Sequence, residues 1–185
     1  MIRAVLAVLL AVALLGVSFP VLDDAREERS ETVVESELGE IEAAAVDLAR
    51  TEEAVELDEP ERAADGDEPM EAPGLRAASR RSVSVVVPDR TLTEAPVEYV
   101  AIGGIPAADR STGSSSRNGG VSVLAYRLGD GDIQIRHTPV EFRTMNPNST
   151  ISPEGDPLVL RGDAELTLAL VELDGDRVVL VRWRA

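Results

Sequence analysis

The sequence predicts an α+β protein in which an N-terminal transmembrane helix continues into an acidic amphipathic helix and is followed by an antiparallel β-rich head. Three observations predict this order. Residues 4–22 carry no charge, apolar residues then recur at helical spacing up to residue 55, and short alternating segments separated by turn signals follow from residue 82. The corresponding parts are an anchor at 1–22, a helix at 23–58, a flexible linker at 59–81 and a head at 82–185.

The composition limits the classes of function that the chain can have. Its 185 residues include no Cys and one His, so we expect no disulfide framework, thiol nucleophile, Cys-ligated zinc or His-rich metal site. The formal net charge is -16, and 20 of the 34 acidic residues lie between residues 23 and 72. A chain this acidic lacks the basic face that binding to nucleic acid requires. All 18 basic residues are Arg, and with the acidic excess this usage resembles that of halophilic prokaryotes.

Residues 4–22 are long enough to cross a bilayer as a helix. At about 1.5 Å per residue they extend about 28 Å, close to the hydrocarbon thickness of a membrane. Arg3 precedes this run and Asp23 follows it, so the positive-inside rule predicts a single-pass protein of the cell membrane with a cytoplasmic N-terminus and the head outside. The alternative is a cleaved signal peptide, with Gly16-Val17-Ser18 as the cleavage site.

Residues 23–58 predict a helix that continues the first one. Its apolar residues form one stripe, and the remaining faces are mainly Glu. The stripe packs either on a protein partner or on the chain's own C-terminal domain, and we favour a partner because the head can supply both of its own apolar faces. The predicted assembly face consists of Val34, Leu38, Ile41, Ala45, Leu48 and Val55.

Residues 82–185 predict a modest antiparallel sheet or sandwich. In 165–173, Leu residues alternate with milder residues, which indicates one strongly apolar face. Asp-Gly sequences at 129–132 and 174–176 predict hairpin turns. Residues 106–120 are rich in Ser and Gly and predict a surface loop. The candidate strands are 82–87, 97–102, 121–127, 133–137, 140–144, 158–161, 165–173 and 177–184.

No motif predicts catalysis, a metal or a cofactor. Asp-Gly-Asp occurs three times, but without the spacing of a calcium loop, so turns are the better interpretation. Ser114–Ser116 lack a nucleophile elbow, and an isolated His137 is more often structural than catalytic. Arg161-Gly162-Asp163 is interpreted as a turn, and nucleotide-binding Gly motifs do not occur. Asn148 begins a possible glycosylation site.

The order of the three parts resembles that of type IV pilin-like proteins, including the pseudopilins of secretion machines. The resemblance is architectural and rests on the apolar run 4–22 with Pro20 near its end, the stripe from 34 to 55, and the head from 82 to 185. It implies a non-enzymatic bitopic membrane protein that is a structural subunit or accessory of a surface-filament or secretion apparatus. The alternative is a secreted or surface-displayed β domain that binds a partner after signal cleavage.

Overall fold

The computed structural model describes residues 2–57, 77–89, 91, 94–109, 122–145, 151–152 and 156–184, with only the backbone given for 2–9, 11–24 and 184. This part of the chain contains helix α1 (Ile2–Thr51), nine strands and one turn of 3₁₀ helix at Ala107–Asp109. The strands are β1 (Val55–Glu56), β2 (Arg80–Val85), β3 (Val97–Ile102), β4 (Val123–Leu128), β5 (Ile133–His137), β6 (Glu141–Thr144), β7 (Leu158–Leu160), β8 (Ala164–Leu173) and β9 (Asp176–Arg184).

Helix α1 is continuous for 50 residues, so the two predicted helical segments are one element. It ends at Thr51, whose Oγ1 donates a hydrogen bond to the carbonyl of Asp47 at 2.7 Å. The helix was expected to reach residue 58, and Val55 was expected on its apolar face. That expectation is wrong, because Val55 lies in β1 and pairs in parallel with Val171 of β8. A spacing of seven from Leu48 fits two helical turns, but a β-branched residue beside an open strand gains more by pairing with it.

The strands form two sheets, which we call sheet A and sheet B. In sheet A the order is β1-β8-β9-β6, with β2 also pairing with β8. Strand β6 runs parallel to β9, and β2 and β9 run antiparallel to β8. In sheet B the order is β5-β4-β3-β7, and all neighbours are antiparallel. The described part of the chain is therefore α+β with two mostly antiparallel sheets, which confirms the predicted β-rich head.

The predicted strands and hairpins are found at or close to their expected positions. Strands β3 and β5 have the predicted limits, and the other six predicted strands differ by one or two residues at one or both ends. The turn between β8 and β9 consists of Asp174 and Gly175, with φ of 53° and 87°, as a two-residue turn with both central residues at positive φ requires. Strands β4 and β5 are joined at 129–132, where the N–H of Gly131 donates to the carbonyl of Leu128 at 2.9 Å.

The main core lies between the two sheets and includes one face of α1. The inward-facing side chains of β8, such as Leu166 and Leu168, are fully buried together with Phe142 of β6 and Leu124 of β4. A smaller apolar cluster, which includes Val171 and Val178, lies on the outer face of sheet A. Another lies on the outer face of sheet B. Both sheets are thus apolar on parts of both faces, and the helix completes the inner core.

Gly103 shows how closely the sheets approach each other after β3. Its φ is +84°, and a Cβ at this position would lie 3.3 Å from the carbonyl oxygen of Phe142. Residues with a side chain rarely adopt this conformation. The chain therefore leaves β3 through a backbone shape that a Gly provides, directly against β6.

Two predicted segments lie partly or wholly outside the described residues. The linker was expected at 59–81, but residues 58–76 are not described, and Arg80 and Arg81 already belong to β2. The predicted loop at 106–120 is described only as far as Asp109, which ends the 3₁₀ turn. Within the part of the chain that the structure describes in full, no helix is long and apolar enough to cross a bilayer.

Candidate functional site

The predicted assembly face of α1 is buried inside the protein. Each of its helical residues is at most 2% exposed, and all belong to the main core cluster with strands of both sheets. The expectation that this face packs on a partner is therefore wrong: the chain's own sheets occupy it. The physical reason is that the two sheets leave a gap along one side, and an aliphatic stripe on a helix fills it at a gain of about 1.5–3 kcal/mol per buried side chain. These residues are Val34, Leu38, Ile41, Ala45 and Leu48.

Acidic side chains beside that stripe attach α1 to sheet A. Asp47 forms an ion pair with Arg81 of β2 at 2.6 Å, and Glu37 accepts a hydrogen bond from the N–H of Val86 at 3.1 Å. Near the end of the helix, Glu52 accepts a hydrogen bond from Ser79 Oγ at 2.9 Å. The acidic residues are thus divided between contacts with the head and the solvent-facing side of the helix.

A second set of contacts joins α1 to sheet B and to the segment before β3. Glu42 pairs with Arg136 of β5 at 2.7 Å. The hydroxyl of Tyr126 donates to Glu31 at 3.4 Å, and the buried Ser30 donates to the carbonyl of Ala95 at 2.9 Å. The helix therefore contacts both sheets, and its position relative to the head is fixed along the docked length.

The Tyr126 hydroxyl is held in its neutral form. Burial, the charges of Glu31 and Glu35 and the hydrogen bond to Glu31 together raise the pKa of Tyr126 to about 12. Each of these factors disfavours a phenolate, since the phenolate would be desolvated and would lie beside carboxylates. Tyr126 is therefore a hydrogen-bond donor to α1 and not a base near neutral pH.

The clearest polar cluster outside the helix lies on the outer face of sheet B. Arg127 of β4 donates to Glu98 at 2.6 Å and to Asp109 at 2.6 Å, and its guanidinium lies 5.4 Å from the ring centre of Tyr99. The Tyr99 hydroxyl is buried next to Asp109 without a regular hydrogen bond. Burial first, and then Asp109, raises the pKa of Tyr99 well above its usual value.

This cluster lines a shallow recess of about 280 Å³. Its wall also includes Pro106, Val159 and the exposed Arg161. The charge of Arg127 is already compensated by two carboxylates, and hydrogen bonding to Glu98 raises the pKa of Arg127 further. Because the raised pKa keeps Tyr99 protonated near neutral pH, Tyr99 does not act there as a base.

Of the other residues considered in the sequence, Arg161 lies in the wall of this recess. His137 is exposed at the end of β5, and Gly131 and Gly175 lie in hairpin turns. Arg161 and Gly162 lie in the bend between β7 and β8. Asn148, Ser114–Ser116 and the first Asp-Gly-Asp lie outside the described residues. Within the described part, no group of three or more His, Asp or Glu side chains is arranged to hold a metal ion.

The cluster around Arg127 was not predicted from the sequence. Its members come from β3, β4 and the 3₁₀ turn, and the irregular register between Val97 and Tyr99 disrupts the simple alternation of β3. A partial signal was present, because Arg127 lies in an otherwise apolar strand. An Arg in such a strand requires a carboxylate partner if it is not fully exposed.

The chain matches a protein-family model over nearly its whole length. Residues 1–184 match the model described as "Domain of unknown function (DUF7311)". The chain belongs to this family. Since the match extends over α1 and both sheets, the DUF7311 domain comprises the helix together with the head. No match was found among curated proteins or solved structures.

Proposed function

We propose that this DUF7311 protein is a non-enzymatic, single-pass membrane protein with an extracytoplasmic head, acting as a pilin-like structural subunit or accessory of a surface-filament or secretion apparatus. The observation that supports it most is the continuity of α1. Among the residues whose side chains the structure describes, the first on α1 to contact the head is Arg26, whose carbonyl accepts a hydrogen bond from Ala95 at 3.4 Å. The helix begins at Ile2, so about 36 Å of helix precedes this contact, enough to cross a hydrocarbon layer.

The sequence of that preceding segment supports a membrane location. Residues 4–22 are uncharged, and charged residues begin again at Asp23, shortly before the docked part of the helix. A single rigid helix then holds the head close to the membrane surface at a fixed orientation. Pilin-like proteins share this order, and the likeness is one of architecture.

Membrane anchoring is tested with charge substitutions in the apolar run. The full chain should stay in the membrane pellet after alkaline extraction, whereas a Leu10→Arg, Leu14→Arg variant should be released. The matched control is Ser36→Arg, which adds a positive charge on the exposed side of α1 and should leave the chain in the pellet. Release of the unaltered chain would overturn the anchor.

The second candidate function is a secreted or surface-displayed β domain that binds a partner after signal cleavage. It is favoured by the Gly16-Val17-Ser18 sequence and by the contact of Arg26 with the head, which lies beyond that sequence. The intact mass of the mature protein distinguishes the two candidates. A loss of residues 1–18 would reject the anchored form, and the full mass would reject the secreted one.

The assembly role has its own test. A pilin-like subunit or accessory requires a motor and a membrane platform, so genes for a secretion ATPase and a polytopic membrane protein are expected beside the gene for this chain. Deletion of this gene should then impair filament formation or secretion by that apparatus. An unaffected apparatus would contradict the assembly role while leaving the membrane anchor intact.

A further inference from the structure

Sheet B has two edge strands, β5 and β7, on opposite sides. Among the described residues, β5 pairs only with β4, and β7 only with β3. The side chains of residues 134–137 in β5 are exposed, and Ile135 is 48% exposed. An edge strand of five residues with an exposed Ile is open to pairing with another chain unless a charge, a Pro or a bulge protects it. Arg136 gives little protection, because it pairs with Glu42 of α1.

The directions of the strands relative to α1 restrict which edges can pair. Tyr126 contacts Glu31, and Arg136, which lies opposite Leu124, contacts Glu42. Residue numbers therefore fall along β4 as they rise along α1, so β4 runs against the helix. Because neighbours in sheet B are antiparallel, β5 runs with the helix and β7 runs against it.

The two edges of sheet B are consequently antiparallel to each other. Pairing β5 of one copy with β7 of the next continues the antiparallel pattern and leaves both α1 helices pointing the same way. Antiparallel pairing of β5 with another β5 would turn the second helix upside down, which anchors in one membrane do not permit. A head-to-tail contact of this kind is heterologous and extends along a row of copies.

The pattern on the outer face sets the register of this contact. Ile135 lies opposite Ala125, Ala125 opposite Ala101, and Ala101 opposite Val159, so all four lie in one row across the sheet. Placing Ile135 beside Val159 of a second copy continues the row without exchanging the faces of either strand. The exposed Ile135 side chain is then covered by an apolar neighbour.

The same register is selected by what the neighbouring positions offer to Ile135. At the two ends of the contact, Ile133 lies opposite Arg161 of the other copy, and His137 lies opposite Pro157. A register shift of two residues, which keeps the faces, places Ile135 opposite Pro157 or Arg161 instead of Val159. The apolar row and the faces therefore select one alignment.

We propose that sheet B is an interaction surface for a second copy of this chain, with β5 of one copy pairing antiparallel with β7 of the next. The proposed membrane anchor supplies the common orientation of the copies, and in this respect the inference rests on the proposed function. The strand directions and the apolar row do not depend on the anchor. Copies joined in this way form a lateral row with one β5 edge and one β7 edge open at its ends.

Cysteine cross-linking of the full chain tests the contact, since the natural sequence contains no Cys. In lipid vesicles, a mixture of the Ile135→Cys and Val159→Cys variants should form a disulfide-linked dimer on oxidation, whereas each variant alone should form no disulfide-linked dimer. The double variant should form a ladder of oligomers. A mixture of Val86→Cys, at the exposed residue that follows β2, and Val159→Cys is the control and should not cross-link.

Several results would overturn the proposal. Dimers of Ile135→Cys alone would indicate a two-fold contact between β5 strands, and equal cross-linking of the control mixture would indicate random collision. Because Val159 is partly buried, Ile133→Cys with Arg161→Cys provides a second directly opposed pair, in which Arg161 is exposed, and the absence of cross-links in both pairs rejects the contact. Repeating the reaction in detergent tests the β5–β7 contact separately from the membrane anchor, because the mixed dimer should persist in detergent even if the anchor is wrong.

Ile135 gives an independent measurement. Ile135→Lys should reduce self-association of the full chain in analytical ultracentrifugation because it places a charge on the edge of sheet B, whereas Val86→Lys, at an exposed position away from that edge, should leave it unchanged. Equal association of Ile135→Lys and the unaltered chain would reject the contact.

Discussion

Glu42 of α1 and Arg136 of β5 form an ion pair at 2.7 Å that joins the helix to the edge strand of sheet B. Five residues further along the helix, Asp47 pairs with Arg81 of β2 at 2.6 Å and joins it to sheet A. The acidic helix thus connects the two sheets on the side where their strands do not pair. Its buried stripe provides the apolar contact, and the flanking carboxylates set its position.

The Glu42–Arg136 pair should contribute modestly to stability and should weaken with salt. Arg136 is half exposed, whereas Glu42 is largely covered, so we expect a coupling energy of about 1 kcal/mol or less in a double-mutant cycle with Glu42→Gln and Arg136→Gln. The measurement is chemical unfolding at low and high salt, and the coupling should decrease at high salt because of screening. A Glu40→Gln variant, altered at an exposed position of the same helix, is the control.

A substitution in the buried stripe should have a much larger effect. Leu38 is 1% exposed and packs in the core shared by the two sheets, so Leu38→Ala should lower the free energy of unfolding by about 2–5 kcal/mol. The control Ser36→Ala lies on the exposed side of α1 and should change it by about 0.5 kcal/mol or less. Thermal melts of both variants measure this difference, and self-association is measured separately by analytical ultracentrifugation. A Leu38→Ala variant that melted like the unaltered protein but no longer self-associated would contradict the described packing.

The helix stripe also shows what sequence alone could and could not predict. Its spacing predicted one apolar face correctly, since periodicity depends only on local geometry. It could not show which surface covers that face, because burial against a partner and against the chain's own sheets require the same pattern. Val55 was misplaced for a related reason: the neighbour that makes it a strand, Val171, is distant in sequence.

The strands were more predictable than the polar cluster. Asp174-Gly175 and the alternating Leu residues of β8 determine a hairpin locally, and the structure contains it. The Arg127 cluster depends on Glu98 from β3 and Asp109 from the 3₁₀ turn, which come together only after sheet B forms. The edge positions of β5 and β7 likewise follow from strand order, which the sequence pattern does not encode directly.

Gly103 should not tolerate a side chain. Its φ of +84° and the 3.3 Å distance from a built Cβ to the carbonyl oxygen of Phe142 predict that Gly103→Ala destabilises the protein by more than about 1 kcal/mol. Gly162 is the matched control, since a Cβ there meets nothing within 4 Å. Equal melting temperatures for Gly103→Ala and Gly162→Ala would contradict the close approach of β3 and β6.

The two tyrosines of the chain should titrate late in the folded protein. The pKa of Tyr126 is raised from 10.0 to about 12, and the pKa of Tyr99 is also raised, by burial and by Asp109. Because the folded pKa exceeds the unfolded one, the stabilisation linked to the bound proton is complete below pH of about 10. It is lost as the pH rises through about 12.

Ultraviolet absorbance of tyrosinate measures this directly, with unfolding followed in parallel by circular dichroism. In denaturant both tyrosines should ionise near pH 10, whereas in the folded chain ionisation should be delayed and should accompany unfolding. Tyr126→Phe should remove one of the two tyrosines and leave Tyr99 to ionise above its ordinary pKa. Ionisation of both groups near pH 10 in a chain that remains folded would contradict their burial beside Glu31 and Asp109.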